Sequence, residues 1–257
     1  MTATLDLTAL WRAFDERAQK EESPYVRAAL AQFAFEAREI DRILARVAAG
    51  DAFVIAAVRR ILQDYLPGGT YHAQWLARYS RLIETTVNVG GNALAESVGF
   101  DFALSNPRVL SIVRQRAGAL VANVTETTRA SIRGATEVGR AQGLGTREIA
   151  KLIHESTFGE ITKTRAQTIA RTETVGAMNA GEHLAAVQSG VLRSKTWLHQ
   201  RVGDSRPNHL AMDGLTIDIG AAFPNGLQHP HAPGAPAREV VNCRCSLLYS
   251  DEEAGTR

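Results

Sequence analysis

The side chains best suited to chemistry gather late in the chain: Asp204, Arg206, His209, Asp213, His229, His231, Cys243 and Cys245. Three chemistries compete for them. The first is a zinc site in which His209 joins Cys243 and Cys245, because zinc takes neutral imidazole and thiolate in tetrahedral geometry. A small domain gains folding energy from such a site. The spacing sets a condition on it. On a regular strand the two cysteines would share a face with Cα atoms roughly 6.5 Å apart. One ion about 2.3 Å from each sulfur needs a closer approach, so the backbone must bend there. The second chemistry is a Cys-His-Asp or metal-assisted hydrolase, such as a nuclease, housed in residues 191–250. The residue types are present, but no signature sets a nucleophile beside a base. H-E-x-x-H, the P-loop and G-x-S-x-G are all absent. The third is structural: His209 and Asp213 satisfy buried backbone groups, and the cysteines serve as small buried hydrophobes. His229-Pro230-His231 reads as a loop.

Helices must position most of this. Residues 1 to about 190 carry helical periodicity, clearest in Val26, Leu30, Phe33, Ile40, Ile43, Leu44 and Val47 on one stripe. Phe53 to Leu66 repeats the pattern and Pro67-Gly68-Gly69 ends it. A third helix starts near Tyr71, with Gly90-Gly91 expected to interrupt or bend it. Asn106-Pro107 opens another through about Arg140. Thr146 is the expected N-cap of a short helix to about His154. The helix from about Thr162 to Gln188 is Ala-rich and thin in large apolar residues, which suits close packing and suggests surface completed on another molecule. After Gly190, prolines and histidines accumulate, and Lys195–Leu198, Arg238–Val241 and Leu215–Ile217 read as short strands. The expected fold is mainly α, an elongated helical N-terminal and middle region with a small, loop-rich α+β module. The expected divisions are 1–105, 106–190 and 191–257.

Composition narrows the class. The 257 residues are 45% hydrophobic and 22% charged, an ordinary globular mix. Two cysteines exclude a disulfide-built fold, and no apolar run approaches the ~20 residues of a membrane span. Met1-Thr2-Ala3-Thr4-Leu5-Asp6 lacks a signal-peptide pattern, so use without secretion is expected. Residues 106–175 hold 11 basic and 6 acidic side chains, a surplus of +5. That segment suits DNA or an acidic partner, or else a solvated face with Arg–Glu pairs at helical spacing. Arg171 and Glu173 read either as a clamp for the C-terminal piece or as an exposed pair. Trp11, Trp75 and Trp197 are spread through the chain, as core anchors are.

An ordered series of short motifs then stands out. Thr168-Ile169-Ala170-Arg171-Thr172-Glu173-Thr174 is followed by Ala177-Met178-Asn179-Ala180-Gly181 and Lys195-Thr196-Trp197. Asp204-Ser205-Arg206-Pro207-Asn208-His209, Met212-Asp213-Gly214, Pro233-Gly234-Ala235-Pro236 and Asn242-Cys243-Arg244-Cys245 complete it. The series, over roughly residues 120–250, resembles the phage Mu F-like head morphogenesis family of minor head proteins. The resemblance implies a structural protein of a tailed phage or prophage and establishes no enzyme activity, and a non-enzyme is expected. It also implies the portal or major capsid protein as partner and a place in the virion head; the basic surplus of residues 106–175 adds an expected contact with packaged DNA, and the absence of a signal-peptide pattern suits assembly in host cytoplasm. No membrane partner is expected, given the short apolar runs, and the resemblance by itself does not establish a metal.

Overall fold

The structure, a computed structural model, describes residues 6–47, 51–201 and 205–255. Asp6 opens α1 (Leu7–Leu44): its carboxylate accepts the N–H groups of Thr8 and Ala9 at 3.0 and 3.1 Å, an N-cap. The helix continues past Pro24. Next come α2 (Asp51–Gln63), α3 (Thr70–Val98), α4 (Pro107–Ala141), α5 (Thr146–Phe158) and α6 (Ile161–Ser189). Asn106 Oδ1 accepts the Arg108 N–H at 2.9 Å to start α4, and Gly190 ends α6 at φ +65°.

Two helix details differ from expectation. Gly90-Gly91 does not interrupt α3. A Cβ on Gly90 would lie 2.5 Å from the Met178 carbonyl oxygen, and one on Gly91 would lie 2.3 Å from the Phe102 ring. The glycines are there for close approach, and the packing offsets the ~1 kcal/mol that each costs in a helix. Thr146 is not a cap: Gly145 takes that position with no side-chain bond, and the helix runs to Phe158.

The remaining elements are β1 (Ser194–Leu198), α7 (Pro207–Ala211), β2 (Thr216–Asp218), α8 (Ala237–Val240) and β3 (Ser246–Ser250). The strands form an antiparallel sheet in the order β2-β1-β3, with Thr196 opposite Thr216 and Trp197 opposite Leu247. The strand expected over Arg238–Val241 is a correction: this segment forms α8, with Pro236 at its N-cap. Its β-branched residues have no strand to pair with, and Val241 is exposed. Ser246–Ser250 takes the edge instead, pairing with β1 along its whole length.

Contacts group the chain into two compact units. One comprises Met1–Pro24, Arg81–Arg116 and Thr168–Arg257; the other, Tyr25–Ser80 and Ala117–Gln167. In the first, every residue of α6 from Thr174 to Ala186 is buried. A helix covered all round needs no amphipathic stripe, so its small side chains are the signature of a central helix. The surface that the sequence suggests is completed by another molecule is covered by this chain's own residues. Phe14 and Ala18 pack on Val175 and Met178 there.

In the second unit an apolar cluster joins Ile40, Leu44, Val58, Ile61, Ile132, Ile149 and Ile153. Within the same unit lies a buried carboxyl. Glu36 accepts hydrogen bonds from Trp75 Nε1 (2.6 Å), Tyr65 OH (2.9 Å) and Gln32 Nε2 (3.0 Å). Burial pushes its pKa up to about 7 despite these donors. Trp11, Trp75 and Trp197 are all buried. No helix among the described residues is long and apolar enough to cross a membrane.

Candidate metal centre

Pro207 fits the first turn of α7, where its missing N–H costs nothing. Two residues on, His209 turns inward against Trp197, with ring centroids 5.3 Å apart. Its Nδ1 lies 3.6 Å from Cys243 Sγ and 3.5 Å from Cys245 Sγ. All three donor atoms fall within 4.8 Å of one another. The cysteines precede β3 and are not on it. Asn242 adopts φ +57° immediately before them, a left-handed conformation that Asn tolerates. The Cys245 N–H then points at Cys243 Sγ, 3.5 Å away. The backbone bend that the C-x-C spacing requires is therefore present.

The other edge of the imidazole is equally defined. His209 Nε2 stands 2.8 Å from Glu239 Oε2, and Asn208 Nδ2 holds both oxygens of that carboxylate at 3.0 and 3.1 Å. A carboxylate only accepts, so Nε2 carries a proton and Nδ1 faces the sulfurs. Burial works against the charged imidazole, yet the Cys243 sulfur and the Glu239 carboxylate outweigh it and raise the His209 pKa. The Cys243 thiol is held well below its ordinary range. The Cys245 hydrogen bond is foremost, followed by opposing burial and then by His209 and His231. Cys245, the donor of that pair and itself buried, is raised.

The cluster sits in apolar surroundings. Trp197, Met212, Phe223 and Leu247 pack with the two cysteines; His209 is 2% exposed and each cysteine 1%. Such an arrangement suits a bound soft cation or a buried hydrogen-bonded staple better than attack on a substrate.

The other sequence candidates go elsewhere. Asp213 accepts the His199 N–H at 3.0 Å and Arg201 Nη1 at 2.6 Å. Arg206 donates to the carbonyls of Arg238 and, at 2.7 Å, Val241, fixing α8. His229 Nδ1 lies 2.8 Å from the Pro230 carbonyl and its ring 5.1 Å from that of His183. His231, at φ +60°, donates from Nε2 to the Cys243 carbonyl at 2.9 Å. Asp204 lies outside the described residues.

Several residues that hold the site escape a reading by type. Thr172, Val175 and Asn179 form one stripe of α6 at helical spacing. Thr172 Oγ1 accepts the Asn242 N–H at 3.0 Å, and Asn179 Nδ2 donates to the Cys245 carbonyl at 3.0 Å. Arg116 Nη1 donates to the His231 carbonyl at 2.6 Å while Nη2 lies 3.4 Å from Glu173. Glu173 thus acts as a clamp, through Arg116; Arg171 instead lies 4.0 Å from Glu22. Trp11 Nε1 donates to the Arg244 carbonyl at 2.8 Å, and the Arg244 guanidinium meets Asp15 and Glu22. The polar Asn179 within the Ala-rich motif Ala177–Gly181 was the available signal. Replacing Asn179 by Ala leaves the buried Cys245 carbonyl without this donor and is expected to cost about 1–3 kcal/mol. Urea unfolding checks this, and an unchanged midpoint contradicts the lock.

Residues 130–248 match the family model described as Phage Mu protein F like protein. That span runs from within α4 into β3 and contains α6 and the whole His–Cys cluster. The chain is 34% identical over 90 residues to the uncharacterized protein YqbB of Bacillus subtilis (strain 168). The alignment covers 32% of this chain and 30% of that protein, so the chain spans under a third of that curated relative's length. No solved structure matches it.

Proposed function

From a phage Mu F-like region spanning both α6 and the cluster it holds, we propose that this protein works in head morphogenesis of a tailed phage or prophage. It is a minor head protein that docks beside the portal, with the portal or major capsid protein as partner. It assembles in host cytoplasm and ends in the virion head, and its contribution is binding, not turnover. The observation carrying this reading is the family match over residues 130–248. The motif series supports it, since Thr172, Glu173, Asn179, Arg206, His209 and the Asn242–Cys245 turn converge in one unit.

The Arg-rich segment is partly neutralised from within, which weakens the case for direct DNA contact. Arg129 and Arg133 meet Glu126, Lys151 meets Glu155, and Arg116 meets Glu173. Arg165 lies over the Phe33 ring at 4.7 Å. Side chains already engaged within the chain are less free to neutralise phosphates. Direct DNA binding at low salt, weakening steeply as salt rises, would restore DNA as a partner.

Electron microscopy of particles made with and without this chain tests the main reading. Loss of the chain is expected to yield fewer or malformed heads, and normal particles are expected to contain it with the portal. Normal heads in normal yield, with the chain missing from wild-type particles, would overturn it.

A further inference from the structure

We propose that His209 Nδ1, Cys243 Sγ and Cys245 Sγ bind one zinc-class divalent ion tetrahedrally, tying α7 to the turn before β3. The two imidazole-to-sulfur edges have the length of those in a filled site. With Zn–N about 2.05 Å and Zn–S about 2.3 Å, a tetrahedron has N···S edges of roughly 3.6 Å; the two edges here are 3.6 and 3.5 Å. The donor set of one imidazole and two sulfurs selects soft or borderline cations over calcium or magnesium.

The outer shell fits as well. Glu239 takes the Nε2 proton of His209, the carboxylate–histidine pairing that orients metal-bound imidazoles. The cysteine backbone is pinned on three sides: Asn242 N–H by Thr172, Cys243 O by His231 and Cys245 O by Asn179. The three ligands leave the fourth position to a water molecule. An ion held here would close the chain between residues 209 and 243, which lie 34 apart, and burial of all three ligands keeps it from bulk water. This inference stands independently of the head-assembly reading.

Cobalt titration of the reduced, chelator-stripped, full-length chain tests it. Cys243 and Cys245 are the chain's only cysteines, so a thiolate-to-cobalt absorption band reports this site alone. The band is expected to saturate at one cobalt per chain and to vanish on adding zinc, and zinc should slow thiol alkylation at least tenfold. Glu239→Gln, which leaves the three ligands in place, is expected to weaken zinc affinity about 10–100-fold with unchanged far-UV circular dichroism. Cys243→Ser should remove the band. If that variant fails to fold, the Glu239→Gln affinity decides. No cobalt band together with zinc-independent alkylation overturns the proposal, as does rapid re-formation of a Cys243–Cys245 disulfide that zinc does not prevent. An unchanged zinc affinity in Glu239→Gln also overturns it.

Discussion

Gly181→Ala is expected to prevent the first compact unit from forming its native packing. A Cβ at this position would stand 2.1 Å from the Val87 carbonyl oxygen and 2.8 Å from the Gly91 nitrogen. Both are backbone atoms of α3, so no rotamer change relieves the clash and the two helices must separate. Separation opens the interface that Gly90 also closes, 2.5 Å from the Met178 carbonyl oxygen by the same measure. Ordinary overpacking costs about 1–3 kcal/mol; a backbone–backbone conflict at a central helix should reach about 4 kcal/mol or more, a large share of the ~5–15 kcal/mol that holds a domain together. Gly118→Ala and Gly134→Ala, where a Cβ meets nothing within 4 Å, provide the contrast. They lie inside α4 and are expected to gain up to about 1 kcal/mol. Thermal unfolding of the three variants distinguishes the positions. A Gly181→Ala chain melting with the wild type would show that α3 and α6 do not cross this closely.

Glu36 carries the second large effect, in the other unit. Glu36→Leu leaves the Tyr65 hydroxyl and the Trp75 indole N–H without their acceptor and takes from the Gln32 amide one of its two, Gln74 Oε1 at 2.9 Å remaining. At about 1–3 kcal/mol for each unmet buried group, and short of additivity, the loss should be about 4 kcal/mol. Glu36→Gln keeps an oxygen for Trp75 and Gln32 and turns an N–H toward Tyr65, so it retains most of the network. Its signature is in the pH profile. The folded pKa, about 7, is raised above the ordinary 4.5. The contribution of Glu36 is therefore fully present below about pH 4.5 and is lost as pH rises through about 7. Glu182, also raised to about 7 by burial against the pull of Arg17, acts in the same direction, so the difference between wild type and Glu36→Gln isolates Glu36. Urea midpoints at pH 5 and pH 8 should fall more in the wild type than in Glu36→Gln. Equal pH dependence of the two chains would mean that Glu36 does not titrate in this window.

Much of this was legible in the residue order, and the failures follow a pattern. Helix starts at Asn106-Pro107 and ends at Gly190 are local events, decided by a side chain capping its own backbone or by a glycine that takes a left-handed turn. The strand at Lys195–Leu198 was equally local, announced by β-propensity around Trp197. Gly90-Gly91 misled because propensity records what a glycine costs a helix and not which backbone lies against it. Arg238–Val241 misled because β-branched residues make a strand only where another strand offers its edge.

The cluster divides in the same way. Residue type alone singled out His209, Cys243 and Cys245, since few side chains ligate metals, and the C-x-C spacing already required a bend. Glu239 and Arg116 were silent, and Thr172 and Asn179 stood out only as members of the motif series: each is made consequential by a neighbour 30 to 115 residues away.

The order of amino acids thus determined the helical class, the short strand at Trp197, the donor atoms available to a cation and the motif series shared with phage Mu F-like proteins, because capping, periodicity and ligand chemistry act within a few residues. Only the tertiary structure decided that the Ala-rich α6 is a buried centre, that Cys243 and Cys245 meet His209 on one side while Glu239 meets it on the other, and that two glycines admit a backbone crossing. Those outcomes depend on which distant surfaces exclude water together, and burial of that kind is set by the whole chain at once.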